Sequence, residues 1–235
     1  MVVMKRKVTV VCMLAIAVCS LGAQELRFQV NQNEVFEYLN KKPDGSELTG
    51  KTVFFFENGK NSKAVGYTHR DARSEWKVLA GADCSPFAIN YDEQHGSVKL
   101  SFDGTGNVRL TGTWDGKPVD AQKRFGANVT LENAMIVRNL DFENSEKYFF
   151  DLLQTDKLPR LVAYTMYFEA VGEETVTVPA GTFRCKKICF SLKDWRSMFY
   201  KAYYYVTDDD RRIIVKIDNV PKGGSSELVR IGMDR

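Results

Sequence analysis

From Glu25 onward the chain is built almost entirely of short runs in which every second residue is apolar, separated by Gly, Asp, Asn and Pro. Successive side chains of a strand point to opposite faces, so these runs predict half-buried strands and not helices. Val98, Leu100 and Phe102 share one face, Asp103-Gly104-Thr105-Gly106 supplies a turn, and Val108, Leu110 and Trp114 return along the same face. Arg109, Thr111 and Thr113 fall on the other side, which makes the pair a hairpin with one wet face. Weaker runs of the same kind cover Lys51 to Phe56, Ala64 to Thr68, Glu75 to Leu79 and Pro86 to Tyr91.

After Arg160 the runs lengthen: Leu161 to Ala170, Glu174 to Val178, Thr182 to Leu192, Met198 to Thr207, Arg212 to Asp218 and Ser226 to Ile231. Val178-Pro179-Ala180-Gly181, Asp208 to Arg211 and Pro221 to Ser225 read as the turns between them. One helix is predicted near residues 145–155, where Tyr148 and Phe149 recur four residues later as Leu152 and Leu153. Asn144 and Ser145 are its candidate caps, Glu146 lies in its first turn and Pro159 closes the segment. The count comes to about ten to twelve strands with no alternation of strand and helix. The predicted class is mainly β, a strongly curved antiparallel sheet wrapping one main α-helix, in a single domain over residues 24–235.

Residues 1–23 read as a secretory signal peptide, with Lys5-Arg6-Lys7 followed by an uncharged stretch from Val8 to Ala23. Those 16 residues include Thr9, Ser20 and Gly22 and fall short of the ~20 apolar residues a transmembrane helix needs. Cleavage after Ala23 is expected, with Gly22 as the rival site, so no transmembrane segment is expected in the mature chain. Cys19 follows Ile16-Ala17-Val18, a weaker match to a lipid-attachment site that would tether the chain to a membrane. A periplasmic or otherwise exported location follows. Without Lys5, Arg6 and Lys7 the 33 basic residues become 30, against 30 acidic ones, which gives no support to a nucleic-acid partner.

Export exposes cysteines to oxidation, and Cys84, Cys185 and Cys189 remain after cleavage. Four residues apart in one strand, Cys185 and Cys189 would lie about 13 Å from each other, too far to bridge. Cys84 pairing with either, or three buried thiols, both stay open.

The run from Glu174 through Val178-Pro179-Ala180-Gly181-Thr182-Phe183 to Ile188 is followed by an aromatic strand, Tyr203-Tyr204-Tyr205-Val206. An acidic turn and the aliphatic strand Ile213 to Ile217 come next. This order, over about Tyr164 to Ile231, resembles an uncharacterised family of exported bacterial proteins, a domain of unknown function. The resemblance implies an open half-barrel like those of the lipoprotein carriers LolA and LolB. It implies no catalytic residue, and no loop in the sequence reads as a membrane-binding one.

No phosphate loop, nucleophile elbow or zinc-binding helix is present. His69 and His95 both sit in polar, turn-like surroundings without a ligand-spaced partner. Glu173 and Glu174 are adjacent, so a strand turns them to opposite faces, and Asp208-Asp209-Asp210 reads as a solvated turn. No catalytic residue, metal ligand or cofactor is predicted. A candidate apolar face remains: Phe54, Phe56, Leu100, Phe102, Leu110, Trp114, Tyr164, Met166, Phe168, Tyr204, Val206 and Val215. It is either an ordinary core or the lining of a cavity for an apolar ligand. The expected function is a non-catalytic binding or carrier module for a lipid or acyl ligand. An envelope interaction protein with a filled core is the alternative, and an enzyme without a recognisable motif comes third. The intact mass of the exported protein is expected to correspond to a chain starting at Gln24 or Ala23; a start at an acylated Cys19 would replace the signal-peptide reading with the lipoprotein one.

Overall fold

Alternating runs become a stable structure only when their apolar faces cover one another, and among the described residues fifteen strands do so within one sheet. A computed structural model describes residues 34–58, 64–70, 74–81, 86–126, 128–143, 146–220 and 223–233. The predicted signal peptide, Cys19 and Cys84 lie outside the described residues, as do the side chains of 48–58 and 64–70.

The first half holds β1 (Glu34–Lys41), β2 (Glu47–Asn58), β3 (Ala64–Arg70), β4 (Ser74–Gly81), β5 (Pro86–Glu93), β6 (Gly96–Phe102), β7 (Asn107–Trp114) and β8 (Lys117–Arg124). Then come β9 (Val129–Thr130), helix α1 (Ala134–Asn139), β10 (Tyr148–Leu153), β11 (Ala163–Val178), β12 (Gly181–Leu192), β13 (Lys201–Thr207), β14 (Ile214–Asn219) and β15 (Gly224–Met233). Two meanders run outward from the middle of the sheet, where β1 pairs with β15 across the length of the chain. All pairs are antiparallel except the two-residue contact of β9 with β10. The sheet curls strongly and its order ends at β8 and β9, so it forms an open half-barrel. The β8 edge carries Lys117, Pro118, Lys123 and Arg124, residues that discourage further strand pairing.

The hairpins follow the sequence closely. β6 and β7 meet through Asp103, whose carboxylate accepts from the Thr105 and Asn107 backbone N–H groups at 2.8 and 3.1 Å. Its pKa falls to about 2, chiefly through the Asn107 side-chain hydrogen bond. Gly106 follows with φ +95°, and a Cβ there would lie 2.5 Å from the Phe125 carbonyl oxygen. β11 and β12 are joined through Pro179-Ala180, as the turn residues predict. The two predicted runs before that turn are one strand, β11, with a register shift between Ala170 and Gly172. The tip of this hairpin bends onto β15, where the Ala180 N–H donates to the Leu228 carbonyl at 3.1 Å.

The helix predicted near 145–155 is overturned: Tyr148–Leu153 is strand β10. A helix of about eleven residues has little stability of its own, whereas β11 supplies a hydrogen-bonding ladder along Tyr148 to Leu153. Phe150 stacks on Phe168, its diagonal neighbour across the β10–β11 pair, at 5.2 Å. Among the described residues the α-helix is α1, with all six residues buried inside the curl. Its Ile136-Val137 pair and short length hid it from a reading based on periodicity.

A charged side chain holds α1 in place. Arg138, 2% exposed, donates from Nε to the Arg212 carbonyl at 2.9 Å and from Nη2 to the Arg211 carbonyl at 2.8 Å. Its guanidinium lies 5.5 Å over the Phe36 ring. Arg212 reciprocates, donating to the Arg138 and Leu140 carbonyls, while Arg211 pairs with the buried Glu34 of β1. Replacement of Arg138 by Ala is expected to cost about 3–5 kcal/mol in urea denaturation, as buried charged hydrogen bonds and their partners are stranded. A loss below about 1 kcal/mol, the worth of one neutral hydrogen bond, would show that the helix is held by apolar packing alone.

Candidate functional site

Strands β1, β4, β10, β13, β14 and β15 and the segment leading into α1 all contribute to the wall of one cavity of about 430 Å³. Elements so far apart in the sheet order meet only across the inside of the curl, so the cavity occupies the concave side. Its apolar wall comes from Leu131, Leu152, Leu153, Ile214 and Ile217, with the rings of Tyr38, Trp76 and Tyr204. Asn40, Glu132, Asn133, Gln154, Thr155 and Ser226 make the remainder polar. The volume falls within the range of small-molecule sites, ~300–1,000 Å³.

Each polar group is placed by a local structural reason. The Glu132 carboxylate accepts from the Ala134 N–H at 2.9 and 3.1 Å and so closes the start of α1. Asn133, at the helix cap, makes no side-chain cap and instead accepts from the Tyr204 hydroxyl at 3.2 Å. The Tyr38 hydroxyl donates to the Ile214 carbonyl at 2.7 Å, and Ser226 donates to Asn40 at 2.5 Å on the rim. Burial raises the pKa of both Tyr38 and Tyr204 far above the usual tyrosine range, so both phenols stay neutral donors. Behind Tyr204 the wall is dry: its ring meets Phe168 edge-on at 5.4 Å and Phe190 at 5.8 Å.

Of the residues predicted to line an apolar face, Tyr204 alone among those with described side chains borders this cavity. Leu100, Leu110, Phe168, Val206 and Val215 are fully buried and Met166 nearly so, packed with the remaining core. Phe102 and Tyr164 pack partly buried against that core. Val215 does not share the cavity wall with Tyr204. The register shift between Tyr205 and Val206 sets Ile217 and Ile214 opposite Tyr204 and Val206 instead. Phe54 and Phe56 lie in β2, and their side chains are outside the described ones. The polar wall was missed because Glu132, Asn133 and Gln154 flank elements whose type the sequence conceals.

Trp114 borders a second, polar cavity of about 420 Å³ with Glu93, His95, Asp115 and Asp156. There His95 stacks on Trp114 at 6.1 Å and its Nδ1 lies 2.9 Å from Asp115. His95 occupies a turn as expected, but His69 lies in strand β3 and not in a turn. Among the described residues no group of three or more metal-ligating side chains occurs. Glu173 meets Arg184 and Lys186 while Glu174 meets Lys187, the opposite facing that adjacency implies. Asp209 spends its carboxylate on the Thr207 hydroxyl and the Arg211 and Arg212 N–H groups. Cys185 and Cys189 are both buried free thiols, and burial pushes Cys185 up to about 12. Among the described residues, no helix is long and apolar enough to cross a membrane.

No family model matches this chain, and no curated protein matches it. Among solved structures it is similar to an exported-type protein of Bacteroides fragilis described as having a YmcC-like fold, at 15% identity, 88% of this chain, 99% of that one and a TM-score of 0.37. A protein of Parabacteroides distasonis described as a lipoprotein shares 11% identity over 88% of this chain and 99% of that one, with a TM-score of 0.39. The β-barrel-like protein of domain of unknown function DUF1849 from Brucella abortus aligns at 10% identity over 88% of this chain and all, 100%, of that chain. Its TM-score of 0.60 shows that the chain shares the curved, barrel-like β fold of that protein.

Proposed function

We propose that this protein is a non-catalytic, exported binding or carrier module that shelters an amphiphile, a lipid or acylated molecule, inside its half-barrel. The observation that supports this reading is the mixed wall of the concave cavity. Leucine, isoleucine and aromatic side chains suit an apolar chain, while Asn133, Gln154 and the Tyr204 hydroxyl are placed for a polar head. The Tyr204 hydroxyl and the Gln154 amide already donate within the protein, to Asn133 and the Leu152 carbonyl, and a ligand with a polar head can use the hydrogen-bonding capacity that remains, so the sequence-based expectation of an apolar ligand narrows to an amphiphile. The signal-like N-terminus supports a periplasmic setting.

Native mass spectrometry of the exported protein, followed by organic extraction, is expected to show a stoichiometric amphiphile that extraction removes. A clean protein mass from several expression hosts would overturn the carrier reading. Tyr204 offers a finer test. Tyr204→Phe removes one neutral hydrogen bond and is expected to cost about 1 kcal/mol of stability. Tyr204→Ala opens the wall and is expected to cost about 3–5 kcal/mol, the loss typical of a buried aromatic. Retention of bound amphiphile should fall in the Phe variant while folding persists; unchanged retention would show that the phenol does not meet the ligand.

A further inference from the structure

The connection from β12 to β13 is a one-turn 3-10 segment, Trp195–Met198, followed by Phe199. Trp195, Met198 and Phe199 are 70%, 77% and 65% exposed, the three highest values among the described large apolar side chains. Such a cluster on one short turn contrasts with the scattered single apolar residues of ordinary surfaces.

The turn is held firmly. Asp194 accepts from the Arg196 N–H at 3.0 Å and pairs with the Arg196 guanidinium at 2.6 Å. The Ser197 N–H donates to the Asp194 carbonyl, and Ser191 donates to the Tyr200 carbonyl at 2.5 Å. Trp195 and Phe199 brace each other edge-on at 6.0 Å. The outward position of these side chains is therefore built in by the hydrogen bonds beneath them.

From Lys193 to Lys201 there are three basic residues, Lys193, Arg196 and Lys201, against the single acid Asp194. Lys193 reaches back over the ring of Phe149, itself 41% exposed, at 5.2 Å. An apolar tip on a cationic base matches a bilayer interface, where aromatic and Met side chains enter the acyl boundary and lysines meet anionic headgroups. A projecting turn offers little of the roughly 800 Å² per partner that a stable protein interface buries. We infer that the 193–201 turn is a docking site for the surface of an anionic lipid bilayer. No membrane-binding loop is legible in the sequence, because Met198 onward reads there as the start of a strand. This surface lies outside the cavity, and its test does not depend on whether the cavity holds a ligand.

The exported protein carrying Cys19→Ser, so that no acyl chain contributes, is mixed with vesicles of phosphatidylcholine alone or with added phosphatidylglycerol. Co-sedimentation is expected with the anionic vesicles, together with a blue shift of tryptophan emission that is lost when Trp195 is replaced, since Trp195 is 70% exposed and Trp114 7%, while the half-buried Trp76 of the cavity wall is kept in both proteins as the control. The triple variant Trp195→Ser, Met198→Ser, Phe199→Ser is expected to keep its melting temperature and to partition at least about tenfold more weakly. Lys193→Glu with Lys201→Glu should abolish the preference for anionic vesicles. Absence of vesicle binding, or equal binding by the triple variant, would overturn the proposal. So would self-association that the triple variant dissolves in the absence of vesicle binding, because a second copy of the chain would then be what covers the turn.

Discussion

Everything in this fold depends on how the inside of a curled sheet is filled. Fifteen strands spaced about 4.8 Å apart make an arc of about 70 Å, far wider than one helix of about 10 Å diameter can occupy. Left flat, the arc would expose its apolar face; curled, it encloses more space than α1 supplies. The interior is closed partly by large rings, with Phe150, Phe168, Phe190 and Tyr204 in mutual contact on one side. Trp76, Tyr91 and Trp114 form a row on the other. The cavity is the space between these two aromatic groups and the short helix, so it follows from the size of the sheet and is not a local packing defect.

A helix of six residues does not hold itself together, and the strength of its attachment decides the shape of the cavity. Placing Arg138 in the interior is costly, and partners must offset the cost. The carbonyls of the β13–β14 turn take its Nε and Nη2 donors and the Phe36 ring faces its guanidinium, while Arg211 from that same turn meets Glu34 at the start of β1. One group of charges thus ties the helix, the first strand and the C-terminal half of the sheet. Glu132 and Asn133 enter the cavity wall directly before α1, so the anchoring of Arg138 also sets where the polar part of that wall stands.

The hairpins could be read in the sequence because their signals are local. Alternation over Val98 to Trp114 and the Asp103 and Pro179 turns involve neighbours along the chain, and the antiparallel β class follows from their repetition, whereas the half-barrel comes from the resemblance carried by about Tyr164 to Ile231. Pairing of β1 with β15 is not local, and no short pattern announces it. The misplaced helix has the same origin. Tyr148-Phe149 and Leu152-Leu153 satisfy a helical spacing, but the ladder offered by β11 outweighs it, and that ladder is invisible until the sheet is assembled. For the site, Tyr204 was visible as an inward aromatic, whereas Asn133 and Glu132 border the cavity only because an unrecognised helix starts beside them. The other described members of the candidate face, apart from Trp114, pack in the core instead, and the register shift at Tyr205 and Val206 sets Ile214 and Ile217, not Val215, in the cavity wall.

The cavity and the exposed turn are separate surfaces with a short physical path between them. The Arg196 guanidinium lies 4.8 Å over the Tyr164 ring, and Tyr164 stands opposite Leu152, which borders the cavity. On the next strand pair, Tyr200 meets the Phe190 ring at 5.9 Å and Phe190 meets Tyr204. One side chain, Tyr164 or Phe190, therefore separates the turn from the wall on either route. Close-packed rings transmit displacement because they have little room to absorb it. A bilayer that seats Trp195 and Phe199 would load the Tyr164 and Tyr200 supports, and these are the residues backing the Leu152 and Tyr204 wall.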